Sequence, residues 1–315
     1  MYCYSKKGNT LEGTLPSELF ALTSLEILDL DLHCIVGTIP PSIGNLTNLR
    51  ELYIGANELT GTIPSELFLL EKLEVMELCS NELSGTLPFE INRLQPLTLL
   101  DVSGNELSGT IPTTIFAPYN LSHLDIASNM LTGTIPTEIG TMQNIVSLDA
   151  SSNMLQGTIP TEIGSLHKCE ELELDGNQLT GTVPSEIGNM QNLIELYLSE
   201  NMLSGTIPTS IGNLGSLECI ELEINSFTGP IPSELGNLPI LDDIDVSDNN
   251  LSGTLPTELG LLQALGYLRV YGNPLTGTVP FASDMLANFS KCVCSCRGAP
   301  CLFCSSCALF LFDVN

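Results

Sequence analysis

A Gly-x-x-Pro signature that returns every 24 residues leaves this chain little freedom in how it folds. It begins at Gly13 and recurs at Gly37, Gly61, Gly85, Gly109, Gly133, Gly157, Gly181, Gly205, Gly229, Gly253 and Gly277, without insertion or deletion. Asn keeps the same period at Asn9, Asn57, Asn81, Asn105, Asn129, Asn153, Asn177, Asn201, Asn225, Asn249 and Asn273, with His33 as the one substitution. Independent globular domains do not produce an unbroken period this short. The chain is a solenoid, whose coils bury their apolar faces only against their neighbours.

One unit shows the mechanics. Leu52-Tyr53-Ile54 alternates with period two, which predicts a short strand with Leu52 and Ile54 inward and Tyr53 outward. Asn57 follows where the chain must turn, and its amide is placed to satisfy backbone groups of adjacent coils in a buried ladder. Leu59, Ile63 and Leu67 continue the core, and Pro64 ends the extended stretch before a helical turn that carries Glu66. The hydrophobic fraction is 43% with no Trp and only 5% aromatics, so the core is expected to be aliphatic.

This pattern, LxxLxLxxNxLxGxIPxxLGxL, resembles the plant-type leucine-rich repeat. Receptor-like kinase ectodomains, polygalacturonase-inhibitor-like proteins and diatom repeat proteins carry it. The resemblance implies an α/β solenoid: a right-handed superhelix with a concave parallel sheet, a second short sheet at Leu-x-Gly-x-Ile-Pro, and short 3-10 or helical turns on the convex side. It covers residues 9–289 as eleven regular coils, leaving 1–8 as a remnant and 290–315 as a Cys-rich tail. Members of this family usually carry an N-terminal cap with paired cysteines. Lys6 falls where an inward Leu belongs, so the N-terminal side reads as truncated, and any signal, anchor or kinase is expected in sequence preceding Met1.

The C-terminal side reads as a cap, because Phe289 to Cys294 falls in register with Leu-x-x-Leu-x-Leu. Cys292, Cys294, Cys296, Cys301, Cys304 and Cys307 fit a disulfide-bonded cap of an exported protein. A zinc-thiolate cluster and an aberrant terminal reading frame remain alternatives. Cys79 and Cys219 lie on the concave side six coils apart, about 29 Å at strand spacing, which is too far for a disulfide. Sequons at Asn45, Asn120, Asn250 and Asn288, with the cysteines and the resemblance, favour an extracellular or cell-surface protein over a cytoplasmic one.

Thirty-seven acidic residues against nine basic ones leave a formal charge of −28, which disfavours nucleic acid and anionic membrane as partners. No apolar run approaches the roughly 20 residues a membrane span requires. The period places much of the acid in one column. The central outward position of successive strands reads Asp29, Tyr53, Glu77, Asp101, Asp125, Asp149, Glu173, Tyr197, Glu221, Asp245 and Arg269. That column predicts a negative trough for a basic protein or peptide, against the alternative of a merely solvated face inherited by duplication. Tyr53, Tyr197, Tyr267 and Tyr271 add contact area. Tyr267 and Tyr271 flank Arg269, which makes that end the first candidate for a specific contact.

An open sheet offers no desolvated cleft for a catalytic carboxylate pair, and no nucleophile elbow, phosphate loop or metal-ligand spacing appears. The sequence therefore predicts a non-enzymatic recognition module with no cofactor and no metal. One other class competes. Thr follows the signature Gly in nine consecutive coils, Thr14 to Thr206, and again at Thr254 and Thr278, with Thr or Ser often two residues earlier. Two parallel hydroxyl rows resemble the Thr-x-Thr arrays of ice-binding proteins, although Thr ladders also stabilise sheets in their own right.

Overall fold

The computed structural model describes residues 11–279. Asn9, Asn288, the 1–8 remnant and the Cys-rich 290–315 segment lie outside the described residues. Within them, eleven strands from Ile27–Asp29 to Tyr267–Arg269 form one parallel sheet in strict sequential order. The register advances by one repeat at every step, as in Leu124 opposite Leu100 and Leu148 opposite Leu124. At about 4.8 Å per strand the sheet is about 50 Å long.

Each coil is built from the same local choices. Leu52 and Ile54 are buried while Tyr53 between them is half-exposed, and this alternation repeats along the stack. After each strand the residue preceding the ladder Asn turns through the left-handed region: Gly104, Gly176 and Gly272 do so freely, whereas Ser80, Ser152 and Ile224 do so at φ near 50°. For Ile224, a β-branched residue, that conformation is strained. The chain then forms a second strand, meets Pro in extended geometry, and closes in a single 3-10 turn such as Ser65–Leu69. Every convex turn among the described residues is of this tight kind, which suits a coil with only 24 residues to complete its circuit.

The core is one continuous aliphatic column, interrupted by a few aromatic rings such as Phe20, Phe68 and Phe227. The ladder threads through it. Asn153 accepts the Leu131 amide at 2.9 Å, and its Nδ2 lies 3.0 Å from the Ile126 carbonyl of the preceding coil. The same Nδ2 lies 3.0–3.3 Å from the Ser151 and Ala150 carbonyls of its own coil. The pattern repeats from Asn57, Asn81 and Asn105 through Asn129, Asn177, Asn201, Asn225 and Asn249 to Asn273.

The second sheet is present in two pieces. Six strands run from Glu12–Thr14 to Met130–Thr132 and five from Gln156–Gly157 to Asn250–Leu251, bridged at Thr134 and Gln156. The break falls where a side-chain clip is lost. Thr132 donates to the Gly109 carbonyl at 3.2 Å and Thr180 to Gly157 at 3.2 Å, but Gln156 stands at this position in the coil between them.

Candidate functional site

Because the concave strands are in register, their central outward residues form one line. Glu77 sits opposite Asp101, Asp101 opposite Asp125, Asp125 opposite Asp149 and Asp149 opposite Glu173. Tyr53 and Tyr197 bracket that run, and Glu221, Asp245 and Arg269 continue it, with Asp29 at the far end. All the sequence-predicted column residues are thus brought together. Three more carboxylates, absent from the column predicted by sequence, join the same face one period-two step along: Asp31, Asp175 and Glu223. Extending the 24-residue arithmetic by two residues would have found them.

Aspartate and glutamate play different parts in this column. The Oδ1 atoms of Asp101, Asp125, Asp149 and Asp245 accept the backbone N–H two residues on, at 2.8–3.0 Å. The Ser103 and Ser247 hydroxyls add bonds of 2.6 Å to the same oxygens. These aspartates close the turn that leaves the strand, a short-side-chain role that glutamate does not fill here.

The face is not simply solvated. Asp245 is only 5% exposed, and Asp101, Asp125, Asp149, Glu173 and Glu221 are half-buried. Burial is the main force on the ionisation of Asp125, Asp149, Glu173 and Glu221. It pushes Asp125 up to about 7 and Glu173 to about 8, with neighbouring carboxylates adding to the effect. Glu221 and Glu223 rise to about 7 and Asp175 to about 6 for the same first reason. Glu77, Asp31 and Asp149 are also raised.

Arg269 does not stand free as a contact group. Its Nη1 donates to Asp243 at 3.2 Å and to Asp245 at 3.3 Å, and its guanidinium lies 5.6 Å from the Tyr267 ring centroid. Tyr271 is exposed beside it. The Tyr53 hydroxyl donates to Glu51 at 3.1 Å and that of Tyr197 to Glu195 at 3.0 Å, tying each ring to its own strand. Cys219, Glu221 and Asp243 have potential ligand atoms within 4.8 Å of one another, but Asp243 is already paired with Arg269. Burial first, then the Glu221 carboxylate, pushes the Cys219 thiol up to about 12.

The opposite strand array carries the threonines. Thr62, Thr110, Thr134, Thr158 and Thr182 are exposed, and their hydroxyls make no hydrogen bond among the described residues. Their methyl groups are fixed against the next coil. A Cβ added to Gly205 would lie 2.7 Å from Cγ2 of Thr182, and Gly205 itself has φ 76°. Glycine is therefore required there both for space and for conformation. The inner hydroxyl row differs, because Thr60, Ser84, Ser108 and Thr132 donate to carbonyls of the preceding coil.

Leucine rich repeat family models match residues 167–227 as a block and residues 48–70, 96–117, 120–142, 144–166 and 241–262 as single repeats. With the sheet, turns and ladder above, the chain belongs to the leucine-rich repeat proteins. Receptor-like protein 41 of Arabidopsis thaliana is 47% identical over 45 residues, 14% of this chain and 5% of that protein. The plant peptide hormone receptor RGFR1, solved in complex with RGF2, superimposes with a TM-score of 0.83 at 36% identity. That match covers 84% of this chain and 43% of the receptor chain. The Arabidopsis receptor kinase HAESA, solved with the peptide hormone IDA and the co-receptor SERK1, gives 0.83 at 34% identity, covering 87% and 46%. A plant ice-binding protein gives 0.67 at 30% identity, covering 81% of this chain and 82% of that one. The chain thus spans less than half the length of these receptor structures and about a twentieth of its curated relative.

Proposed function

We propose that this chain is a non-enzymatic recognition module of an extracellular or cell-surface protein, binding a basic protein or peptide along its concave face. The observation that carries this reading is the column Glu77 to Glu173, five carboxylates in register on neighbouring strands. From Ile27 to Ser247, the residues facing outward on these strands and their following turns include no Lys or Arg. A face that holds this much negative charge at partial burial is under electrostatic tension that a cationic partner relieves. The similarity to peptide-hormone receptor ectodomains supports a peptide or protein as that partner. Asn45, Asn120 and Asn250 are exposed, so glycans there would leave the fold intact.

The test uses hexalysine as probe, with calorimetry at two salt concentrations. Replacing Asp101, Asp125 and Asp149 together with Asn keeps an oxygen for the turn amides and removes three charges. Lys at these positions would lose that oxygen and confound charge with folding. The triple Asn variant is expected to bind at least about tenfold more weakly, with a shallower salt dependence. Unchanged affinity would place the site elsewhere.

A second reading rests on the unbonded hydroxyl row at Thr62 to Thr182 and on the likeness to the plant ice-binding protein. Methyl and hydroxyl groups repeated at about 4.8 Å along successive coils would suit an ordered water lattice. Thermal hysteresis that is lost in Thr110→Leu and Thr134→Leu, yet kept in the triple Asn variant, would promote this reading above the first. Absence of hysteresis in the unmodified protein would end it.

A further inference from the structure

Within the acidic column Glu173 differs from its neighbours in how it is held. Asp125 and Asp149 each accept a backbone N–H, from Ala127 at 3.0 Å and Ser151 at 2.8 Å, which favours their ionised forms. Glu173 accepts no hydrogen bond among the described residues. On its own strand and the turn that follows it stands between Glu171 and Asp175, and across the sheet between Asp149 and Tyr197. Three of those four neighbours are carboxyl groups. One coil further, the strand His123–Asp125 presents Asp125 and His123, and the strand Glu195–Tyr197 presents Glu195. His123 is the only group of this set that can become positive, and it is exposed, with Nδ1 2.9 Å from the Ser122 hydroxyl. Glu171 and Glu195 are directly opposed on adjacent strands and add to the negative field.

Carboxyl groups packed this closely cannot all ionise in a half-buried setting. Among the column carboxyls Asp125, Asp149 and Glu173, the retained proton resides on the one with no donor to stabilise its charge. We propose that Glu173 holds a proton in the free protein and gives it up to solvent when a cationic side chain of the ligand docks beside it. The exchange conserves charge locally: the ligand's ammonium or guanidinium replaces the proton as counter-ion to the Asp149–Glu173–Asp175 group. Burial and these same neighbours raise Glu173 to about 8, which agrees with the geometry. The proposal rests on the concave-face reading above and makes Glu173 the residue through which ambient pH sets affinity for a basic ligand.

Calorimetry with hexalysine at pH 7, in phosphate and in Tris, reads the protons released, because the two buffers differ in ionisation enthalpy. The unmodified protein is expected to release close to one proton, and affinity should rise about tenfold between pH 6.5 and pH 8. Glu173→Gln, isosteric and neutral, should release markedly less and flatten the pH profile. NMR titration of the free protein should place the Glu173 carboxyl midpoint above pH 7. Binding without proton release, release unchanged in Glu173→Gln, or a midpoint in the usual glutamate range would overturn the exchange while leaving the ligand reading intact. No hexalysine binding at any pH would overturn the ligand reading, and the exchange with it.

Discussion

The protein is expected to melt at a higher temperature at pH 5 than at pH 8.5, the reverse of the common loss of stability on acidification. Asp125, Glu173, Glu221 and Glu223 all have folded-state ionisation near 7 or 8, raised by burial. In the unfolded chain the same groups ionise near 4. Between those limits the folded state binds more protons than the unfolded state, so stability falls as pH rises from about 4 to about 8. Below pH 4 both states are protonated and the penalty vanishes. Above pH 8 it is fully present. Discounted for solvent screening, about 1 kcal/mol for each of the four groups gives a total of about 4 kcal/mol. At about 2–4 °C per kcal/mol for a chain of this size, the melting temperature should differ by about 10 °C. The Asp125→Asn and Glu173→Gln double variant should lose about half of that difference and be the more stable protein at pH 8.5. A melting temperature that rises with pH over this range would show that the column is solvated after all.

What the sequence displayed and what it hid follow one line. Anything determined by residue type at fixed spacing was legible: the inward Leu52 and Ile54, the ladder from Asn57 to Asn273, and the concave column itself, since a strict period converts number into position. Anything decided by the environment of a side chain was not. Asp125 and Glu173 carry the same charge in the same column, yet the shorter side chain closes a turn on Ala127 and the longer one has no donor among the described residues. Arg269 reads in the sequence as a lone cation flanked by tyrosines. Its capture by Asp243 depends on the diagonal reach of a long side chain to the neighbouring strand. The division of the second sheet at Gln156 was written in the sequence, as a missing hydroxyl in a row of Ser and Thr. Reading it required knowing that this row donates to the coil behind it.

Removing a central rung of the ladder should cost more than any single surface change. Asn153 is 7% exposed, and Ala in its place would strand the buried Leu131 amide of the preceding coil and leave the Ile126 carbonyl there with only its bond from Asn129 Nδ2 at 3.2 Å. It would also weaken the turn through the Ala150 and Ser151 carbonyls. A buried donor left without a partner costs about 1–3 kcal/mol and a lost hydrogen bond about 1 kcal/mol, so Asn153→Ala should destabilise by about 2–4 kcal/mol. The same change at Asn273 removes bonds to the Leu251 amide and the Val246 carbonyl near the end of the described stack, where partners are only part-buried. Water can replace them, and the cost should be below about 2 kcal/mol. The location also matters. Stability in a solenoid is close to a sum of nearest-neighbour terms, so a lesion at the coil of Asn153 weakens the one interface joining the two halves. Denaturant unfolding of Asn153→Ala should therefore broaden or divide into two steps, and the Leu131 amide should exchange far faster than in the unmodified protein. Asn273→Ala should keep a single transition. Equal costs at the two positions would mean that the rungs act only within their own turn, and that the coils are held together by aliphatic packing without the amide ladder.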